Sequence, residues 1–572
     1  MVSSKMGAVM KQGFRQCMAW LHTWTGLVVG WVLFFVFLTG TAGYVQVELT
    51  RWMQPERPLQ SSMIPNTSEQ LNKAYHYLKM NSEAQTAERW GINFLVNERG
   101  RDELNVNWSQ PAKQDQRYGE YKQETLDANT GLALAQTIKP RETGGGDSLY
   151  RMHYALHYIP YDWAIRIVGI CTMFMFVTII SGVITHKKIF KDFFTFRPAK
   201  GQRSWLDAHA VLSVIALPFY IMITYSGLIF FANAYMPLGV PMVYGFGEKK
   251  VDRFYEELYQ DSGFSPSFEN TKIMTLGQSA TNFVNVQPLL KQAQQQWGKD
   301  SISSVNFYPQ KGNTPPKLEF YKINNDSVVR QRTSMDFDLF TGKILSKDLN
   351  NQEKAPLKFA NTMLGLHEGL FASPLMRIFY VITGLLGTAM IATGLVLWTV
   401  KRRPKQIKAG QMSFGHALVE RLNIAVIAGL PLAIATYFWA NRFIDSGFSG
   451  RAAWEVHTLY ITLLVSFIYS LFRPIAKAWF ELLIIAALAY LFLPILNLFT
   501  TERHLGITLR QADYALASID IGFFIIGLVL AWSAYRVWIK RNAILKPIIK
   551  TAKKTIKTSK TLSSKDPVKD IL

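Results

Sequence analysis

WLHTWTGLVVGWVLFFVFLTG (residues 20–40) and DAHAVLSVIALPFYIMITYSG (residues 207–227) decide the reading of this chain. Each is an apolar stretch with a histidine eighteen residues before a glycine: His22 before Gly40, and His209 before Gly227. A second pair follows. The stretch opening at His157, HYIPYDWAIRIVGICTMFMFVTIISGVITHKK, aligns with HEGLFASPLMRIFYVITGLLGTAMIATGLVLWTVKRR, which opens at His367, with an inserted residue before the arginine and another before the glycine. That alignment sets Arg166 opposite Arg377 and Gly182 opposite Gly394. One transmembrane unit is therefore written twice, and histidines duplicated at its helix ends point to paired ligands.

The rest of the chain fits a membrane protein. Of 572 residues, 49% are hydrophobic, 13% aromatic and only 18% charged. Stretches with few or no charges run at 23–47, 167–185, 210–235, 378–400, 422–441, 456–472, 482–501 and 516–535, the last containing Asp520. Most reach the ~17–25 residues that a helix needs to cross the hydrocarbon layer. The first apolar run is far longer than the ~7–15 residues of a signal-peptide core, so its retention is expected. The expected fold is an integral membrane, all-α polytopic bundle of about eight transmembrane helices.

Lysine and arginine set the expected orientation. The loop at 187–204 has six positive residues and one negative, 401–408 has five and none, and the tail from Lys540 has ten and two. These belong on the cytoplasmic side. Both termini are then cytoplasmic, and two long polar segments face the opposite side. The chain divides into 1–47, N-terminus and first span; 48–160, first polar segment; 161–235, second and third spans; 236–374, second polar segment; 375–413, fourth span and basic loop; 414–540, a C-terminal four-span region; and 541–572, a basic tail. The net charge of +22 is largely this topology signal and the tail's attraction to the lipid bilayer, with no nucleic-acid partner implied. Two cysteines, Cys17 and Cys171, stand in no CxxC or CxxCH setting, which argues against covalent haem and against a cysteine-held iron–sulfur cluster.

The polar segments repeat as well. WGINFLV and ELNVNW in the first, and SVNFYP and KLEFYKI in the second, alternate as strands do. Each segment then carries D-x-x-T-G, as Asp127, Thr130 and Gly131 and again as Asp338, Thr341 and Gly342. A carboxylate to hold backbone amides and a glycine at positive φ are what a tight turn needs, so the motif reads as structural.

Taken in order, LHTWTGL with LTG, HYALHYIP, SGVITHKKIFKDFFTFRP, DAHAVLSVIALPF and LHEGLF resemble the PepSY-associated transmembrane helix family, over about residues 10–405. That family includes haem-containing inner-membrane reductases of ferric siderophores in Gram-negative bacteria. The resemblance implies two periplasmic α+β PepSY-like insertions, haem b, one or two per chain, and a ferric siderophore as substrate. The spans from about 414 depart from the smaller four-helix members.

Topology sorts the candidate ligands. His22, His186 and His209 fall at the cytoplasmic helix ends, and His153, His157 and His367 at the periplasmic ends. A b-type haem needs two imidazoles on opposite faces of the macrocycle, which facing helices can supply. Parallel repeats would set His22 against His209 near the inside and His157 against His367 near the outside. Eighteen residues span roughly 27 Å of helix, so two such haems would bridge most of the membrane. His186 is either a ligand or a helix-end residue, because Trp398 stands in its place in the second copy. His153 and His157 lie one helical turn apart if that stretch is helical, and the repeat favours His157. His76, His416, His457 and His504 have no repeat partner and read as structural. Arg166 and Arg377 would either hold haem propionates or snorkel to headgroups. Gly40, Gly182, Gly227 and Gly394 would allow close helix approach or the flat face of a haem.

The expected function is an inner-membrane b-haem oxidoreductase that reduces a periplasmic ferric siderophore. No GxGxxG stands in a strand-to-helix setting, so electrons would come from a quinol or a separate cytoplasmic reductase. A periplasmic binding protein is a possible partner. The alternative is a non-enzymatic scaffold whose PepSY-like segments bind a periplasmic protein or peptide. Transport is disfavoured because ionisable pairs and broken-helix signals are sparse, with Pro218, Pro431 and Pro494 isolated.

Overall fold

The structure is a computed structural model that describes residues 13–563, apart from 58–64, 97–102, 112–118, 135–139, 187–196, 199, 237, 248–252, 255–256, 258–275, 277–281, 311–314, 325–326, 331–332 and 348–354. Most of the basic loop used above for orientation, and the last residues of the basic tail, lie outside the described residues.

In chain order the principal elements are α1 (Phe14–Gly43), α2 (Gln46–Met53), α3 (Thr67–Met80), β1 (Arg89–Asn93), β2 (Leu104–Ser109) and β3 (Tyr121–Leu126). There follow α4 (Gly145–Ala155), α5 (Tyr161–Thr185), α6 (Gln202–Ile215), α7 (Leu217–Phe230) and α8 (Val286–Trp297). Then come β4 (Ile302–Tyr308), β5 (Lys317–Lys322), β6 (Ser334–Asp338) and β7 (Ile344–Lys347). The remainder is helical: α9 (Ala355–Glu368), α10 (Pro374–Lys408), α11 (Phe414–Phe443), α12 (Arg451–Phe472), α13 (Ile475–Thr500) and α14 (Tyr514–Ser563).

Among the described residues, α1, α5, α10, α11, α12, α13 and α14 are each long and apolar enough to cross a membrane. The helices α6 and α7 pass the same test only as a pair, bent by 67°. Counting that pair as one span gives eight. Pro218 accounts for the bend, since it has no N–H for the Val214 carbonyl and its ring crowds that turn. The chain is a multi-pass membrane protein with a separate antiparallel sheet.

Two compact units result: Met1–Met53 with Glu142–Thr224 and Val381–Leu572, and Gln54–Arg141 with Tyr225–Tyr380. In the first, α1 packs along α5 through Val29, Leu33, Cys171 and Met175, and meets α10 and α11 through Leu27, Leu395 and Val419. Asn423 of α11 fastens the same three helices, accepting from the Trp31 indole at 2.9 Å and donating to the Leu395 carbonyl at 3.1 Å.

The C-terminal helices are tied in by buried polar groups. Asp520 is fully buried, accepting from the Trp52 indole at 2.8 Å and from Asn497 at 3.4 Å. Arg442 lies over the Trp52 ring and donates to Asn497 and to the Trp52 carbonyl. Arg451 pairs with Glu455 at 2.7 Å, and Glu455 also accepts from Asn441 and Thr143. Charges inside a membrane bundle survive only when paired in this way.

In the second unit the two polar segments build one sheet, where two separate insertions were expected. Its strand order is β3-β2-β1-β4-β5-β6-β7, and all neighbours are antiparallel. The join is β1 with β4, in register Trp90 to Phe307 and Ile92 to Val305. Each half carries one helix, α3 or α8, and Leu71, Leu78, Leu289 and Leu290 bury against Trp90, Val305, Phe320 and Phe337. Both D-x-x-T-G motifs form the expected turns. Asp127 accepts from the amides of Asn129 and Thr130, Asp338 from those of Phe340 and Thr341, and Gly131 and Gly342 have φ of +77° and +72°. Partial burial raises the Asp338 carboxyl, but these amides and the Thr341 hydroxyl outweigh it and hold the group below the usual carboxylate range.

Candidate functional site

Eighteen residues make five helical turns, so His22 and Gly40 lie on the same face of α1, at its two ends. Each meets a partner from another helix. The His22 imidazole packs against Gly182 of α5, and its Nδ1 is 2.8 Å from the Thr178 carbonyl. Gly40 receives the His153 imidazole from α4, whose Nδ1 is 2.8 Å from the Val36 carbonyl.

The second copy repeats the contact. His209 of α6 packs against Gly394 of α10, with Nδ1 3.0 Å from the Met390 carbonyl. In the sheet-bearing unit, His367 of α9 packs against Gly227, and its Nδ1 is 2.9 Å from the Ser226 hydroxyl.

One local geometry thus recurs. Thr178, Met390 and Val36 each stand four residues before the glycine. In a helix that carbonyl already accepts from the glycine N–H, and a side chain on the glycine would cover the turn that holds it. Removing the side chain opens the carbonyl to an imidazole. An added Cβ would lie 3.0 Å from Cε1 of His22 at Gly182, 3.0 Å from Cε1 of His209 at Gly394, 2.9 Å from Cε1 of His367 at Gly227, and 2.5 Å from Nδ1 of His153 at Gly40. Because a carbonyl only accepts, Nδ1 must donate in His22, His209 and His153, and a neutral ring then keeps its lone pair on Nε2.

His22 and His209 face each other with ring centroids 6.2 Å apart and planes 66° apart. Two imidazoles ligating one metal from opposite sides, with metal–nitrogen bonds of ~2 Å, set their ring centroids about 6 Å apart. Among the described residues no group of three or more His, Cys, Asp or Glu side chains is placed to hold a metal ion.

His186 caps α5, its N–H bonded to the Gly182 carbonyl at 3.2 Å. Trp398 takes the matching place in the second copy. There it stacks on His416 and lies 4.1 Å beneath the Arg402 guanidinium, which also covers Trp24 at 5.7 Å. Arg402 thus puts a cation at the His22 and His209 end that the spacing argument did not single out.

At the other end of α1 the structure corrects the repeat partner. Helix α4 stops at Ala155, Leu156 turns left-handed at φ 38°, and His157 is exposed in the connection to α5. His153 and His157 consequently do not share a helical face. The place that His367 holds in copy two belongs to His153 in copy one, and HYALHYIP matches HEGLFASP from histidine to proline without a gap. The inserted residues fall after that proline. His157 instead stacks on Tyr460, with centroids 5.7 Å apart and planes 19° apart. Partial burial, His457 and Arg151 lower its pKa from the ordinary value. Arg166 is exposed and its guanidinium lies over the Trp163 ring at 5.7 Å, while Arg377 is half-buried near the start of α10.

The partners Thr178, Met390, Val36 and Ser226 were not picked out from the sequence. A residue four before each repeated glycine was the available signal for three of them. The family described as PepSY-associated TM region matches residues 19–401, more than half of the chain. No curated protein matches it.

Proposed function

The chain belongs to the PepSY-associated transmembrane family, and from that premise we propose that it is an inner-membrane b-haem oxidoreductase that reduces a periplasmic ferric siderophore. The observation that carries the reading is the His22 and His209 pair, whose rings are 6.2 Å apart with each Nδ1 held by a backbone carbonyl. Metal-bound histidines commonly use their second nitrogen in this manner, which fixes the tautomer and aims Nε2 at the metal. Two protein nitrogens with no thiolate or carboxylate suit a b-type haem, whose macrocycle supplies the other four donors. When bound, the haem supplies one-electron chemistry.

The protein's part is positioning. Gly182 and Gly394 let the imidazoles sit flush on their helices, and the Thr178 and Met390 carbonyls hold them. Arg402 offers a cation for an acidic group at the same end. His153, which carries the same contact at the Gly40 end of α1, is the candidate that this unit offers for an outer haem. Roughly 27 Å of α1 separates the levels of His22 and Gly40, which suits outward electron movement. Reduction to iron(II) weakens a hard-oxygen chelate and frees the metal. With both termini cytoplasmic, the donor is a quinol or a cytoplasmic reductase.

A reduced-minus-oxidised absorption spectrum of the purified protein, with pyridine haemochrome quantification, tests this. A low-spin b-type spectrum is expected. A preparation that stays colourless after haem-replete expression would replace the reductase with the scaffold reading.

A further inference from the structure

A cavity of about 310 Å³ lies within the helical unit. Its walls are Trp31 and Phe35 of α1, Val426 and Leu430 of α11, Tyr460 of α12 and the connection 156–159. Almost the whole lining is apolar. A hydrophilic iron chelate or a nucleotide would leave its polar groups unpaired there.

Two features separate this space from a packing gap. The backbone of α11 opens into a π turn at Ile424–Ala428, beside the cavity and just before Pro431, whose missing N–H the wider turn accommodates. Such turns recur at ligand sites, and this one carries Val426 into the wall. The polar rim is His157 and its neighbours. No described residue hydrogen-bonds the His157 ring nitrogens, Tyr460 stacks on the ring, and the Tyr158 hydroxyl bonds Nδ1 of His457 at 2.5 Å. The cavity also adjoins a histidine contact, because Val32 and Phe35 line it and Val36, the next residue, holds His153.

We propose that this cavity is a quinol site, holding the head group of a membrane quinol between α1, α11 and α12 with His157 as its proton acceptor. The volume is at the lower end of the ~300–1,000 Å³ of small-molecule sites, enough for a head group while the isoprenoid tail lies in lipid. The inference rests on the proposed function, which supplies the electron acceptor. One quinol and two ferric haem irons give one quinone, two ferrous irons and two protons. Each electron leaves with one proton, taken by a His157 ring nitrogen and passed to water on its exposed side.

The test is photolabelling of the full chain in nanodiscs with an azido-quinone. Cross-links are expected within 31–35, 156–159 or 460–463, displaced by unlabelled quinone and reduced about tenfold by Leu463→Trp, which fills the cavity. Ile159→Trp serves as a second filling variant should the first fail to fold. His157→Gln should keep the labelling while slowing quinol-driven haem reduction on the order of 10²-fold, with dithionite reduction unchanged. Labelling elsewhere, labelling that neither filling variant alters, or displacement by phospholipid as effective as by quinone overturns the site. Labelling does not require haem, so the two ideas fail separately. A haem-free protein labelled in the cavity keeps the quinol site and loses the reductase, whereas a dithionite-reducible haem protein without label does the reverse.

Discussion

The two copies of the membrane unit keep the same contact on differently shaped helices. In the first copy α1 runs unbroken through thirty residues, whereas in the second α6 and α7 are bent by 67° at Pro218. The matching positions differ too, with His186 capping α5 in one copy and Trp398 inside α10 in the other, and with the Val36 carbonyl under His153 but the Ser226 hydroxyl beside His367. What both retain is an imidazole seated on a helical glycine. Helix straightness and the residue four after the glycine differ between the copies while this contact does not, so the contact is the feature that the two copies share.

The largest expected effect is at the histidines. His22→Ala and His209→Ala should each abolish the inner low-spin haem signal, while His186→Ala leaves it, because only the first two imidazoles face each other at 6.2 Å. An equal loss with His186→Ala would make the copies functionally unlike.

Next come the glycines. Gly40→Ala should cost about 1–3 kcal/mol by overpacking, and more than Gly227→Ala, since the new methyl would meet His153 at 2.5 Å against 2.9 Å for His367. Gly182→Ala and Gly394→Ala, each 3.0 Å from an imidazole, should cost the same as each other and lower haem occupancy in parallel. Thermal unfolding followed by circular dichroism, with haem content, measures both.

The smallest effects belong to the sheet turns. Asp127→Ala and Asp338→Ala should each cost about 0.5–1.5 kcal/mol for their lost amide bonds. Asp338 has a depressed pKa, so its contribution is complete above the ordinary carboxylate pKa and fades as the pH falls through the folded value. Asp338→Ala should therefore flatten the acid limb of the stability curve, measured by denaturant titration at several pH values.

Much of the membrane fold was legible because span length and the five-turn spacing of His22 and Gly40 are local properties of the chain. The third span appeared as one apolar run, and its bend depends on the single residue Pro218. The choice between His153 and His157 was not legible, because a linear alignment can place its gap on either side of Pro160 while the helix end at Ala155 decides the matter. Nor was the single sheet, since β1 meets β4 across some two hundred residues with no local signal of the pairing. Asp520 argued against its own span in the sequence, and Trp52 and Asn497 show why it is tolerated.

The central claim, one haem held between His22 and His209, is tested most directly by electron paramagnetic resonance of the oxidised protein. Imidazole planes 66° apart predict a strongly anisotropic low-spin ferric signal that disappears in His209→Ala. A high-spin signal, or a low-spin signal that survives His209→Ala, would contradict it.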